Sequence, residues 1–233
     1  EEAYCAVHNP ASFDEMFAAA DRIATEEYFL IISAFKIVKG DRKEVRRNIY
    51  NATSSDVKNF TSRFPFEFTE GQKKAVNDIF TDLKSPVVMN RLLQGDVGSG
   101  KTAVSLTAIF IAVKSGMQAV MLAPTEVLAK QNYSIISKYF PENKIAFLSG
   151  STPVKEKSAI KAQIKSGQVD IVVGTHAVIQ DDVEFKRLSL CVCDEQQRFG
   201  VAQRSALVGK GDSPDVLIMS ATPIPRTLSL VFY

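Results

Sequence analysis

The residues best able to do chemistry begin at Gly95. The run Gly95-Asp96-Val97-Gly98-Ser99-Gly100-Lys101-Thr102 fits the pattern Gly-x4-Gly-Lys-[Ser/Thr]. Glycines let a loop turn tightly and aim main-chain N–H groups at phosphate oxygens. Lys101 can reach the outer phosphates, and the Thr102 hydroxyl can hold Mg²⁺. A second pair, Asp194-Glu195, directly follows the apolar run Leu188-Ser189-Leu190-Cys191-Val192-Cys193. Behind a phosphate loop, such a pair suits a division of labour. Asp194 holds Mg²⁺, usually through water, and Glu195 deprotonates an attacking water. A third candidate is Gln72, whose amide carries both a donor and an acceptor and can match the N6 and N7 edge of adenine. Phe66 or Phe68 could cover the base, or both could be core.

These residues need elements that bring them together. The phosphate loop lies between the apolar run ending Arg91-Leu92-Leu93-Gln94 and a helical stretch from Ala103 to Val113. A helix N-terminus there adds a positive dipole end. Thr69 caps a predicted helix reaching about Leu83, with Gln72 in its first turn. Strands are predicted at 118–123, 144–148, 169–173, 188–193 and 216–219, with one helix opened by Pro124-Thr125-Glu126 and running to about 140 and another from about 153 to 165. Short Val/Ile/Leu runs separated by helices predict an α/β fold with a central parallel sheet covered on both faces. Each strand ends in small or polar residues, and in such sheets the carboxyl ends form one ligand-binding edge.

The first 63 residues differ, with no glycine-rich loop and no strand alternation. Ser12 and Glu15 form a capping box for a helix from Phe13, and a second helical stretch runs from Tyr28 to Val38. From Lys36 to Arg47, six basic residues face two acidic ones. That excess reads either as phosphate contact or as a solvated basic face. Asn51 to Ser55 reads as a linker or a helix cap.

Composition narrows the classes. The 233 residues are 45% hydrophobic and 23% charged with net charge +2, which is ordinary for a folded domain and not a basic nucleic-acid arm. Three cysteines make a sparse, odd set, as expected in a reducing compartment. Cys191 and Cys193 share one face of a strand and are expected in the core, not on a metal. No apolar run reaches the roughly 18 residues of a membrane span. The chain opens at Glu1-Glu2-Ala3 and ends at Phe232-Tyr233 just after a motif, so it is expected to be a piece of a longer protein.

Taken together, GDVGSGKT (95–102), APTE (123–126), GTH (174–176), DEQQRFGV (194–201) and SATPIPRT (220–227) resemble the first motor lobe of superfamily 2 DNA helicases. The match is most similar to the RecG-type branched-DNA helicases. The resemblance covers about Phe64 to the end. Residues 1–63 resemble, more weakly, the helical segment that joins the wedge domain of such enzymes to their motor.

The resemblance implies a RecA-like, ATP-binding lobe at 64–233. It implies ATP and Mg²⁺ as ligands and Lys101, Asp194 and Glu195 as catalytic residues. It assigns Gln72, with Phe66 a less certain neighbour, to adenine. It places Gln196 and Gln197 in the second motif and Ser220, Ala221 and Thr222 in the motif linking nucleotide to DNA movement. Thr125, Gly150, Ser151, Gly174, Thr175 and His176 fall at loops that touch the DNA backbone; for His176 a structural, hydrogen-bonded histidine is an equal alternative. Implied partners are branched or duplex DNA and, within the same parent chain, a second RecA-like lobe and a wedge domain. A monomer in the bacterial cytoplasm, working in recombination and repair at forks and Holliday junctions, is expected.

Gln197 departs from the family, which usually has His there. A Gln can bond the Ser220 or Thr222 hydroxyl but cannot titrate, so coupling is expected to persist with less pH sensitivity. Two other readings remain. The duplex translocase lobe of transcription-repair coupling factors carries similar motifs, but usually with Phe at the place of Ser99 and Asp-Glu-Glu where this chain has Asp194-Glu195-Gln196. A nucleotide- or DNA-binding module without hydrolysis is opposed by intact Lys101, Thr102, Asp194 and Glu195.

Overall fold

The computed structural model describes residues 2–39, 48–194, 210, 211 and 213–221. Glu195, Gln196, Gln197, Thr222 and the basic stretch 40–47 lie outside the described residues, so the expectations for them are not addressed by it. The described chain separates into two compact units.

The first unit holds α1 (Glu2–His8) and α2 (Phe13–Lys39). The two helical stretches expected at Phe13 and Tyr28 are one helix, because no Gly or Pro interrupts residues 13–39. At its start Ser12 Oγ accepts from the Glu15 N–H, while the Glu15 carboxylate reaches Ala11 N–H and not that of Ser12. Ala19 is buried, whereas Phe13, Phe17, Phe29 and Leu30 are exposed.

The second unit contains the sheet. Its strands are β1 (Asn90–Gln94), β2 (Gln118–Leu122), β3 (Ile145–Leu148), β4 (Ile171–Gly174), β5 (Leu188–Asp194) and β6 (Asp215–Ser220). All pair in parallel, in the order β1-β6-β5-β2-β4-β3. This is the expected α/β architecture. The helices are α3 (Ser54–Thr61), α4 (Glu70–Lys84), α5 (Lys101–Lys114), α6 (Glu126–Tyr139) and α7 (Val154–Ser166). Two apolar layers sandwich the sheet. One gathers Ile109, Ile111, Met121 and Leu217, and the other Val120, Leu122, Leu148 and Ile218. Cys191 and Cys193 lie together in the second layer, as expected of core residues.

The core of the sheet-containing unit includes residues before Phe64. Tyr50, Ala52, Val57 and Phe60 belong to the core of the sheet-containing unit. Phe60 stacks on Phe110 of α5, with ring centroids 4.3 Å apart. The Tyr50 hydroxyl lies 2.7 Å from Asp215 Oδ2 and 2.8 Å from the Ser189 carbonyl oxygen, under the amino-terminal ends of β5 and β6. Asp215 also accepts from the Met89 N–H at 2.6 Å. Helix α3 has its own capping box: the Thr53 side chain accepts from Asp56 N, and Asp56 accepts from Thr53 N. Of the two readings of Asn51 to Ser55, linker or helix cap, the second holds at Thr53.

Candidate nucleotide-binding site

The carboxyl ends of β1, β5 and β6 lie together because these strands are neighbours. Register pairs Gln94 with Ser220 and Asp194 with Met219. The Gly95 N–H then donates to the Ser220 carbonyl at 3.2 Å. The phosphate loop, Asp194 and Ser220, which lie far apart in sequence, thus share one edge.

Backbone demands explain the loop's glycines. Gly98 and Gly100 have φ of +80° and +81°, in the left-handed region, which costs an L-residue about 1–2 kcal/mol. At Gly100 a Cβ would also sit 2.3 Å from Gln72 Nε2. Lys101, the first residue of α5, donates from Nζ to the carbonyls of Gly95 at 2.6 Å and Asp96 at 2.8 Å. Its ammonium therefore hangs over the loop where a ligand's phosphate oxygens could replace carbonyls as acceptors.

Gln72 stands closer to the phosphate loop than its sequence position suggests. As the third residue of α4 it completes a capping box, with Oε1 accepting from Thr69 N–H at 2.9 Å and Thr69 Oγ1 accepting from Gln72 N–H. Its Nε2 donates to the Ser99 carbonyl at 2.8 Å. One amide N–H and one lone pair remain for a base. The nearby phenylalanines divide. Phe64 and Phe68 are buried in the core, whereas Phe66 is half-exposed and stacked on Phe68 at 5.9 Å.

The residues that could serve Mg²⁺ are one hydroxyl, Thr102, and one carboxylate, Asp194. Among the described residues no cluster of three His, Cys, Asp or Glu could hold a metal. That sparse set fits Mg²⁺, which keeps several waters and binds through one or two carboxylates plus phosphates. Asp194 accepts from the Asn132 amide Nδ2 at 3.2 Å. The sequence reading had not singled out Asn132. A lone Asn on the inward face of a predicted helix was the available signal.

The remaining predicted loops line the same edge after β2, β3 and β4, and they are cross-tied. Thr125 is the N-cap of α6, accepting from Leu128 N–H. Ser151 Oγ donates to Glu126 Oε1 at 2.6 Å, Lys130 pairs with the same oxygen at 2.8 Å, and Lys157 Nζ donates to the Gly150 carbonyl. The Lys130 ammonium first, then the Ser151 hydroxyl, hold the Glu126 carboxyl below its usual range. Gly150, Ser151 and His176 are exposed, while Gly174 and Thr175 are buried. The glycine at 174 meets a packing need: a Cβ there would come within 2.0 Å of the Leu148 carbonyl oxygen. Thr175 Oγ1 is buried with no hydrogen-bond partner among the described residues.

A family model described as DEAD/DEAH box helicase matches residues 69–231. The chain belongs to that family. Within it, the chain is 44% identical over its whole length to an ATP-dependent DNA helicase RecG of Streptococcus pneumoniae, covering 35% of that protein. It is 43% identical to the protein of the same name from Thermotoga maritima, covering 30% of it. A solved structure of RecG bound to a three-way DNA junction superposes with a TM-score of 0.83 at 41% identity, over 99% of this chain and 31% of that one. The resemblance read from the motifs is borne out, and it extends through the helical segment as well. A hypothetical ATP-dependent RNA helicase from Sulfolobus tokodaii, at 23% identity and TM-score 0.56, shares the fold. The chain spans about a third of the length of the curated helicase relatives it matches. No helix among the described residues is long and apolar enough to cross a membrane.

Proposed function

We propose that this chain is the ATP-binding motor lobe of an ATP-dependent helicase or translocase acting on branched DNA in recombination and repair, in the bacterial cytoplasm. The observation that carries the reading is the meeting of the phosphate loop, Asp194 and Ser220 on adjacent strand ends, in a chain similar along its full length to RecG helicases. Lys101 and the loop N–H groups bind the phosphates, and Gln72 and Phe66 take the base. Thr102 and Asp194 would hold Mg²⁺, which when bound offsets phosphate charge. Glu195 accepts a proton from the attacking water. Ser220 and Thr222, with Gln197, pass the nucleotide state to the loops at Thr125, Gly150, Ser151, Gly174, Thr175 and His176, which grip the DNA backbone.

Superfamily 2 motors close ATP between two RecA-like lobes, and a finger arginine from the second contributes ~10³–10⁵ in turnover in related NTPases. Residues 1–233 alone are therefore expected to bind nucleotide weakly and hydrolyse it very slowly; robust DNA-stimulated turnover by them would contradict this. The principal test measures ATP turnover by the complete parent protein on forked DNA and on linear duplex of equal length. Preferential stimulation by the fork is expected. Equal stimulation would overturn branch specificity and favour a general duplex translocase of the coupling-factor kind.

A further inference from the structure

We infer that Asn132 is the positioning residue for Asp194, tying the carboxylate that faces the nucleotide to the helix that starts at the DNA-side loops. The inference rests on the proposed role of Asp194 in holding Mg²⁺. Asn132 lies seven residues after the N-cap Thr125, two helical turns along α6 and on the same face. Its neighbours on that face, Ala129 and Ile136, are fully buried, and Asn132 itself is 6% exposed. A buried amide on an apolar helix face is costly unless bonded. Here it is bonded, with Nδ2 donating to Asp194 Oδ2 at 3.2 Å. The chemistry suits the partner: a carboxylate only accepts, and an amide NH₂ donates without bringing a charge that would compete with a metal ion.

The bond spans two parts of the fold. Asp194 ends β5, and α6 follows β2, the strand beside β5. The amino-terminal end of α6 is tied in turn to the loop after β3 through Ser151 and Glu126. Helix α6 is therefore a rod with the DNA-side loops at its start and the Asp194 carboxylate two turns along. A rotation or slide of the rod reorients that carboxylate. Outer partners of this kind set the direction of metal-holding groups, and removing one typically costs 10–100-fold in metal affinity or activity.

The test uses the complete parent protein without DNA. Binding of a fluorescent ADP analogue is followed while MgCl₂ is titrated. Asn132→Leu keeps the shape and removes the donor, and Asn132→Ala repeats the loss should the Leu variant not fold. Each is expected to raise the half-saturating Mg²⁺ concentration by about 10-fold without lowering the melting temperature of the Leu variant. Asn132→Gln, which keeps an uncharged amide donor, is expected to restore part of the loss. In the Asn132→Leu/Asp194→Asn double variant the Mg²⁺ requirement should match that of Asp194→Asn alone, since Asn132 acts only through Asp194. Unchanged Mg²⁺ dependence in the donor-lacking variants, or additive losses in the double variant, would overturn the inference while leaving Asp194 in its role. If Asp194→Asn itself left the Mg²⁺ requirement untouched, the role of Asp194 would fall and the inference with it.

Discussion

Along the carboxyl edge of the sheet, the phosphate loop after β1 is bonded differently from the loops after β2 and β3. In the phosphate loop, side-chain donors are spent on the loop's own carbonyls: Lys101 on Gly95 and Asp96, and Gln72 on Ser99. Val97 is 89% exposed, and a Cβ at Gly98 would meet nothing within 4 Å. On the other side, Ser151 and Lys130 converge on Glu126, Lys157 holds Gly150, and β4 presses so closely on β3 at Gly174 that no side chain fits. The first kind of bond can be traded for bonds to a ligand. The Ser151–Glu126 bond instead links the loop after β3 to the start of α6. The proposed function, nucleotide binding on one side and a grip on DNA on the other, would use one region of each kind.

The comparison can be broken from either side, and the largest effect belongs to the nucleotide side. Glu195→Gln in the complete protein removes the proposed base but keeps the shape. Turnover should fall by ~10²–10⁴ with nucleotide affinity retained, as read by steady-state hydrolysis beside equilibrium binding. Equal loss of both would remove Glu195 from that role. Next in size comes Gly174→Ala, which forces β3 and β4 apart. An overpacking cost of about 1–3 kcal/mol should appear as a lower melting temperature, with little change in nucleotide affinity at temperatures where the lobe is folded. Gly98→Ala should do the converse. Its open surroundings leave only the positive-φ strain, about 1–2 kcal/mol, placed in the loop itself, so nucleotide affinity should suffer before the fold does. If both substitutions acted alike on melting and binding, the contrast between the two regions would collapse.

The smallest effect concerns the Glu126 knot. Its carboxyl is held below the usual value of 4.5, chiefly by Lys130 and then by Ser151. A depressed carboxylate pKa stabilises the fold above the unfolded value and loses that contribution as pH falls through the folded one. Glu126→Gln should therefore lower the melting temperature slightly near neutral pH, and the difference from the unsubstituted chain should begin to shrink near pH 4.5 and vanish only once pH has fallen below the lowered folded value. The exposure of this group keeps the effect small and salt-sensitive. A difference that grew on acidification would reverse the sign assigned to it.

Much of this site was legible because its chemistry is local. Gly95 to Thr102 carries its turn, its helix start and its lysine in eight consecutive residues. Asp194 was legible because an apolar strand ends immediately before it. The helix cap at Thr69 follows from hydroxyl-to-N–H geometry over three residues. Other features were hidden. Tyr50 and Phe60 reach the core although both precede the first motif, and the polar stretch from Asn51 to Ser55 follows Tyr50 directly. Asn132 had no motif to mark it. Gly174 reads as a loop glycine, but its requirement comes from a neighbouring strand's carbonyl.

The sequence by itself determined the repeating strand-and-helix plan, the parallel sheet and the gathering of polar residues at one edge, because apolar periodicity and strand-end composition are properties of short windows. Only the tertiary structure decided that β6 lies between β1 and β5, which sets Ser220 against Gly95 and beside Asp194. Strand order depends on how long crossovers pack against one another. Strand order sets β5 beside β2, so that Asn132 on α6 meets Asp194, and the packing of α4 brings Gln72 to the phosphate loop; neither contact is encoded in the spacing of residues along the chain.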